Sequence, residues 1–185
     1  MNAKDLLGKK IIDKKARDLA KLAEIDLNMK SFSIAKIYGS IGNPISKKYY
    51  EITADSILAV GDYVQVSETI EELEDKLLDK LPESEEKNVK INNLIGKTVL
   101  DSEGNIAGKV SNIDLDLEQF KINGFSIAEQ SSSFVKSKKE NLINKDDITS
   151  IGDYIIINKV ISKEEEKEEE SEDSVKIDIE WTIHS

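Results

Sequence analysis

The sequence predicts an all-β protein: two small, closed or nearly closed β-barrels in tandem, joined by a short amphipathic helix, with an acidic linker and a C-terminal strand after them. Three observations carry this reading. One residue pattern runs through the chain twice, its segments alternate apolar and polar residues with a period of two, and the negative charge is gathered into two stretches outside the repeats. The expected boundaries are residues 1–66 for the first barrel, 67–89 for an acidic helical linker, 90–160 for the second barrel, 161–174 for an acidic disordered linker and 175–185 for an amphipathic strand.

The duplication is read by self-comparison. Leu7-Gly8-Lys9-Lys10-Ile11-Ile12-Asp13 matches Ile95-Gly96-Lys97-Thr98-Val99-Leu100-Asp101, an offset of 88 (7 to 95). The same offset aligns Ile25-Asp26-Leu27 with Ile113-Asp114-Leu115, Phe32 with Phe120, and Ile34 with Ile122. Val60-Gly61-Asp62-Tyr63-Val64 then meets Ile151-Gly152-Asp153-Tyr154-Ile155 at an offset of 91 (60 to 151), so the second copy carries three extra residues in between.

Each copy reads as β structure. Ile25, Leu27 and Met29 alternate with Asp26, Asn28 and Lys30, and Ile113, Leu115 and Leu117 with Asp114, Asp116 and Glu118. That period places one row in a core and the other in water. Tyr63-Val64-Gln65-Val66 and Tyr154-Ile155-Ile156-Ile157 suit a pleated surface, with both tyrosines expected in the core. Asp101-Ser102-Glu103-Gly104-Asn105 is a tight turn in which glycine can take positive φ, and Gly42-Asn43-Pro44 breaks a longer loop. Short strands at this spacing favour barrels, because closure removes exposed edges.

Between the copies, Ile70, Leu73, Leu77 and Leu81 form one apolar helical stripe, with Thr69 and Glu72 as a capping box and Pro82 as the stop. The spacing predicts a helix over Thr69–Leu81, acting as a strut on one barrel. Residues 68–87 hold nine carboxylates and three lysines, and residues 163–173 eight carboxylates and two lysines, so each is −6 within a chain of −11. Such runs are expected to be solvated spacers. Beyond them Val175, Ile177, Ile179, Trp181 and Ile183 alternate with Lys176, Asp178, Glu180, Thr182 and His184. These five apolar residues are the candidate partner-binding residues. The segment either folds back as a closing strand or docks on a partner or another copy, with Trp181 as anchor.

Composition narrows function. The acidic balance, with 26 basic against 37 acidic residues, opposes nucleic-acid binding, which requires phosphate neutralisation. Without cysteine there are no disulfides, thiol nucleophiles or zinc–cysteine sites, and with one histidine, His184, histidine-centred catalysis has little to work with. No apolar run reaches the ~20 residues of a membrane span, and the polar start predicts no signal peptide, so a cytoplasmic protein without direct membrane insertion is expected. Asp114, Asp116 and Glu118 on one strand face lack the turn that wraps calcium and read as a solvated face. No enzyme activity, cofactor or metal is expected.

The opening Leu/Ile-Gly-Lys, the Ile-Asp-Leu strand and the closing Asp-x-Ile-x-x-Val/Ile-Gly-Asp-Tyr-Val/Ile resemble the PRC-barrel domain. Gly104-Asn105-Ile106-Ala107-Gly108-Lys109-Val110 fits that family's glycine-rich hairpin, whereas Ala16 to Lys21 in the first copy lose both glycines. The resemblance, over residues 2–66 and 90–160, implies two PRC-type barrels serving as a non-catalytic protein–protein interaction adaptor, and a homo-oligomer or dimer is expected. It looks most like the archaeal cell-division set, in which PRC-barrel proteins join a ring of the tubulin-like GTPase FtsZ and its anchor SepF. The lysine–isoleucine–asparagine bias fits a low-GC genome. The alternatives are a ribosome-assembly factor resembling the PRC-barrel maturation protein, and a small-ligand sensor.

Overall fold

The computed structural model describes residues 1–129 and 140–161. The candidate partner-binding residues Val175, Ile177, Ile179, Trp181 and Ile183, with the acidic run before them, lie outside the described residues.

The first half runs from a one-turn helix, α1 (Ala3–Leu6), through β1 (Lys10–Ile12), β2 (Asp18–Asn28), β3 (Ser33–Ile41) and β4 (Lys48–Thr53). A 3₁₀ turn at Ala54–Ser56 then leads to β5 (Ile57–Val60) and β6 (Val64–Val66). After α2 (Ile70–Glu74) and β7 (Asn88–Lys90), the same order returns as α3 (Ile91–Leu94), β8 (Thr98–Leu100), β9 (Ile106–Asp116), β10 (Lys121–Ala128) and β11 (Glu140–Asn144). A 3₁₀ turn at Lys145–Asp147, β12 (Ile148–Ile151) and β13 (Ile155–Ile157) complete it. The helix and first two strands recur residue for residue at the offset of 88 (3 to 91), and the 3₁₀ turn and last two strands at 91 (54 to 145).

Alike as the halves are, their strands do not form two closed rings. Among the described residues thirteen strands make one open sheet along the path β12-β13-β8-β9-β10-β3-β2-β1-β6-β5, with β11, β4 and β7 attached to β10, β3 and β2. In each half the would-be closing strands, β4 with β5 and β11 with β12, are consecutive across a 3₁₀ turn and pair only with their other neighbours. The edge that closure would have hidden is partly dealt with by the chain itself. Tyr49 on β4 exchanges backbone hydrogen bonds of 2.8 and 2.9 Å with Leu78.

The halves meet through a reciprocal set of contacts. The amide of Ile34 donates to the Phe120 carbonyl and that of Ile122 to the Phe32 carbonyl, both at 2.8 Å, around the pair Ser33–Lys121. Each contact maps onto its mate by the offset of 88 (32 to 120, 34 to 122), the pattern of an isologous interface. Phe32 and Phe120 both hold positive φ, 50° and 53°, which turns these carbonyls across the junction. The entry segments are exchanged as well. β7 pairs with the end of β2 at Asp26–Lys90, and Asn2 bridges Asp114 on β9. One apolar cluster joins Leu6, Leu22, Ile25 and Ile37 to Leu94, Ile113, Leu115 and Phe125. Sharing a core compensates for two halves too small to bury much surface separately.

The first-copy hairpin that lacks glycine keeps the geometry of the second. Ala16 stands where Gly104 stands and takes φ 59° against 82°. In both turns a buried aspartate organises the backbone: Asp13 Oδ1 accepts from the amides of Lys15 and Arg17, and Asp101 Oδ1 from those of Glu103 and Asn105.

Candidate interaction surface

The inter-repeat segment is not a free spacer. The capping box forms: the Thr69 hydroxyl accepts from the Glu72 amide, and the Glu72 carboxylate from that of Thr69. The helix, however, spans Ile70–Glu74, shorter than the apolar stripe implied. Leu73 is buried, Ile70 and Leu77 pack on the core, and the chain then extends so that Leu78 can pair with β4. Several of its carboxylates are occupied. The sole arginine, Arg17, donates two hydrogen bonds of 2.6 Å to Glu71 and reaches Asp13 at 2.7 Å, while Lys14 meets Glu72 and Lys36 meets Glu85. Burial alone would raise the Asp13 carboxyl, but hydrogen bonds from the Arg17 backbone and side chain and the Ile70 and Lys15 amides bring it down to about 2. The acidic residues thus strap the segment to the first half.

A second polar centre lies under this strap. Asp26, expected in water, is 1% exposed because β7 and Ser84 cover its face of β2. Its carboxylate accepts from the Ser84 hydroxyl at 2.7 Å and the Tyr38 hydroxyl at 3.1 Å, with Lys90 Nζ at 3.5 Å. Burial, with the neighbouring carboxylates, pushes the Tyr38 phenol up and keeps it a hydrogen donor. Ser84 accepts from Lys90 Nζ at 2.9 Å. The cluster's evident work is to pin the segment between the halves. A surface groove of about 540 Å³ runs beside it, lined by Leu81, Pro82, Asn88, Asn93 and Lys97 among others. Glu24, also buried, accepts from the Asn92 side chain at 2.7 Å and ties β2 to α3. Both buried acids escaped the sequence reading, because the residues covering them are about 60 positions away.

One exposed apolar row lies on the second half. Ile106 on β9 pairs with Leu100 on β8, which pairs with Ile156 on β13. Residues directly opposite in a ladder share a face. This face is the outer one, since Ile106 is 51% and Ile156 40% exposed while Val99, Ile155 and Ile157 are buried. Ser150 on β12 continues the row from Ile156. Tyr154, expected in the core, is instead 54% exposed, two positions before Ile156. Its counterpart Tyr63 is 49% exposed for the same reason: alternation buries Val64 and Ile155, so the preceding tyrosine is turned outward.

The first half does not repeat this row. Its equivalents are Asp18, Ile12, Gln65 and Ala59, with Asp18 ion-paired to Lys10 at 3.0 Å. At one location on two otherwise similar folds, Asp18 and Gln65 of the first half thus stand where the second has Ile106 and Ile156. Where the chain leaves β13 it stays near this row. The amide of Ser102, in the turn joining Leu100 to Ile106, donates to the Lys159 carbonyl at 3.2 Å.

Among the described residues no three carboxylates or histidines converge as a metal site. Glu118 falls past the end of β9, and Asp116 Oδ1 accepts the amides of Glu118 and Gln119 in a turn. Within the first-half core, the cavity between Leu6, Leu22, Ile34, Ile37 and Phe120 amounts to about 10 Å³. Among the described residues no helix is long and apolar enough to cross a membrane.

Compared with known proteins, residues 86–162 match the family model of the PRC-barrel domain. The match covers β7 through β13, the half that carries the apolar row. No curated protein matches the chain.

Proposed function

We propose that the chain is a non-catalytic protein–protein interaction adaptor, built as two similar PRC-like repeats whose outer surfaces do the work. The observation that carries this reading is the Ile106–Leu100–Ile156 row. A contiguous exposed apolar row marks an interaction surface, and the equivalent row of the first half carries Asp18 and Gln65 in place of Ile106 and Ile156. The alternating residues Val175, Ile177, Ile179, Trp181 and Ile183 supply a second apolar surface, suited to strand addition with Trp181 as anchor. The charge of −11 favours protein over nucleic-acid partners.

The family resemblance takes the proposal one step further: a cytoplasmic adaptor recruited to the archaeal division site, in contact with SepF or FtsZ, as a homo-oligomer or dimer. Affinity capture of the full chain from crosslinked native cells tests it. The expected result is SepF or FtsZ among the captured proteins; their absence counts against the division role. A second reading is a ribosome-assembly factor resembling the PRC-barrel maturation protein, which pairs a single PRC barrel with an unlike one; the likeness of the two halves here ranks it lower. Co-sedimentation with small-subunit precursors would support that reading. A small-ligand sensor draws no support from a core cavity of about 10 Å³, roughly one water-sized probe.

A further inference from the structure

We propose that the groove beside the Asp26 cluster is a peptide-docking site, in which an extended segment of a partner protein lies parallel to β7 with one acidic side chain directed at Lys97. This rests on the adaptor reading and adds to it a surface separate from the Ile106–Leu100–Ile156 row. Among the described residues β7 pairs with β2 alone, so its other side is an open edge. That edge faces the groove, because Asn88, Val89 and Lys90 all line it. Successive side chains of a strand point to opposite faces, so three residues in a row share one wall only along an edge.

The register fixes which backbone groups the edge offers. The Met29 amide donates to the Lys87 carbonyl at 2.9 Å, which makes these two a hydrogen-bonded pair. Alternation makes Leu27–Val89 the next such pair and turns the backbone groups of Asn88 and Lys90 away from β2. The Asn88 amide is taken by the Glu85 carbonyl at 2.8 Å, and the Lys90 carbonyl belongs to the N-cap of α3. The Asn88 carbonyl and the Lys90 amide remain. They are spaced so that one residue of a parallel strand donates to the first and accepts from the second. The ladder goes no further because α3 begins at Ile91, so side chains must extend it. Asn88 is 9% exposed, lines the groove, and has a carboxamide with no hydrogen-bond partner among the described residues. Asn93 adds a second, exposed carboxamide. Each can donate to and accept from a peptide group. Leu81 and Pro82 supply an apolar wall. Charge selects the side chain. Lys90 is balanced by Asp26, whereas Lys97, held at the Gly152 carbonyl at 2.6 Å, has no carboxylate beside it among the described residues. Glu83 also lines the groove, so a single carboxylate fits and a polyanion is repelled.

The probe is the peptide acetyl-Thr-Val-Glu-Val-Thr-amide, titrated at millimolar concentration into the isotope-labelled full chain and followed by NMR. In the free chain the Lys90 amide should exchange with solvent far faster than that of Val89. Equal protection of the two would mean that the edge is already covered, and overturns the proposal. With the peptide, shifts at Val89, Lys90, Asn93 and Lys97 and slowed exchange at Lys90 are expected. Glutamine in place of the peptide's glutamate weakens binding severalfold, and so does N93D in the protein. The fold tolerates that change, since Asp5 holds the same position in α1 at the offset of 88 (5 to 93). A fully N-methylated peptide, which has no backbone donor, should not bind. Absence of shifts at these four residues, or equal binding of the methylated peptide, overturns the proposal. The adaptor reading is judged separately by capture from cells, so either can fail alone.

Discussion

Gly39 on β3 and Ala20 on β2 face each other so closely that a Cβ added at Gly39 would lie 2.7 Å from the Ala20 Cβ and 2.9 Å from Ile11 Cδ1. The second half solves the same crowding the other way round. Gly108 replaces Ala20 and Ile127 replaces Gly39, at the offset of 88 (20 to 108, 39 to 127), and a Cβ at Gly108 would collide with the Ile127 side chain and the Ala128 carbonyl. One site in each half thus has room for one substantial side chain, on either strand. Gly39→Ala therefore overpacks the first half, at a cost of about 1–3 kcal/mol. Ala20→Gly removes a methyl and loosens a strand, at about 0.5–1 kcal/mol. Combined, the second change vacates the space the first needs, although the contact with Ile11 remains. The double variant should be less destabilised than the sum of the singles by about 1 kcal/mol. Urea unfolding of the full chain measures this as shifts in midpoint at constant slope. If the two changes add to within about 0.5 kcal/mol, the shared-space account is wrong at this site.

Three further outcomes follow from the turns and the strap. Ala16→Gly should raise stability by about 1 kcal/mol, since Ala16 holds φ 59° where its counterpart is glycine; an unchanged or lower midpoint in urea would contradict the strain. Asp13 is depressed to about 2 and Glu71 is lowered by its hydrogen bonds to Arg17. Their contribution is complete above the ordinary carboxylate range and is lost as pH falls from about 4 through about 2. A D13N/E71Q variant should show a flatter loss of stability over that window in pH-jump unfolding, and an identical slope would remove these groups from the account. Ser84→Ala takes one hydrogen-bond donor from buried Asp26 and should cost about 1–3 kcal/mol, with faster amide exchange at Asn88–Lys90; exchange unaltered there would mean the segment is held by other contacts.

The repeat was legible because it is written in local signals: turn residues such as Asp13 and Asp101, period-two rows such as Ile113 and Leu115, and the Thr69–Glu72 box. What escaped was set by residues far apart in the chain. Alternation around Asp26 marks two faces of a strand but does not say that β7 and Ser84 will cover the second one. The charge run 68–87 looks like a spacer until Arg17 and Lys36 are placed beside it. The apolar stripe through Leu81 overstated the helix, because pairing of Leu78 with Tyr49 overrides helical spacing. The need to hide edges predicts closure, whereas among the described residues the chain joins its halves into one sheet with β5 and β12 at its ends. The apolar row could have been found by comparing the copies for where they differ: Asp18 against Ile106 and Gln65 against Ile156 are plain in the alignment.

The central claim is that a partner reads the apolar row of the second half. Quantitative capture from crosslinked native cells, using the full chain and its I106D/I156Q variant side by side, tests this most directly. The account predicts division-ring proteins on the unaltered chain and their loss, severalfold or more, on the variant. Equal recovery on both, or recovery of ribosomal precursors instead, would contradict it.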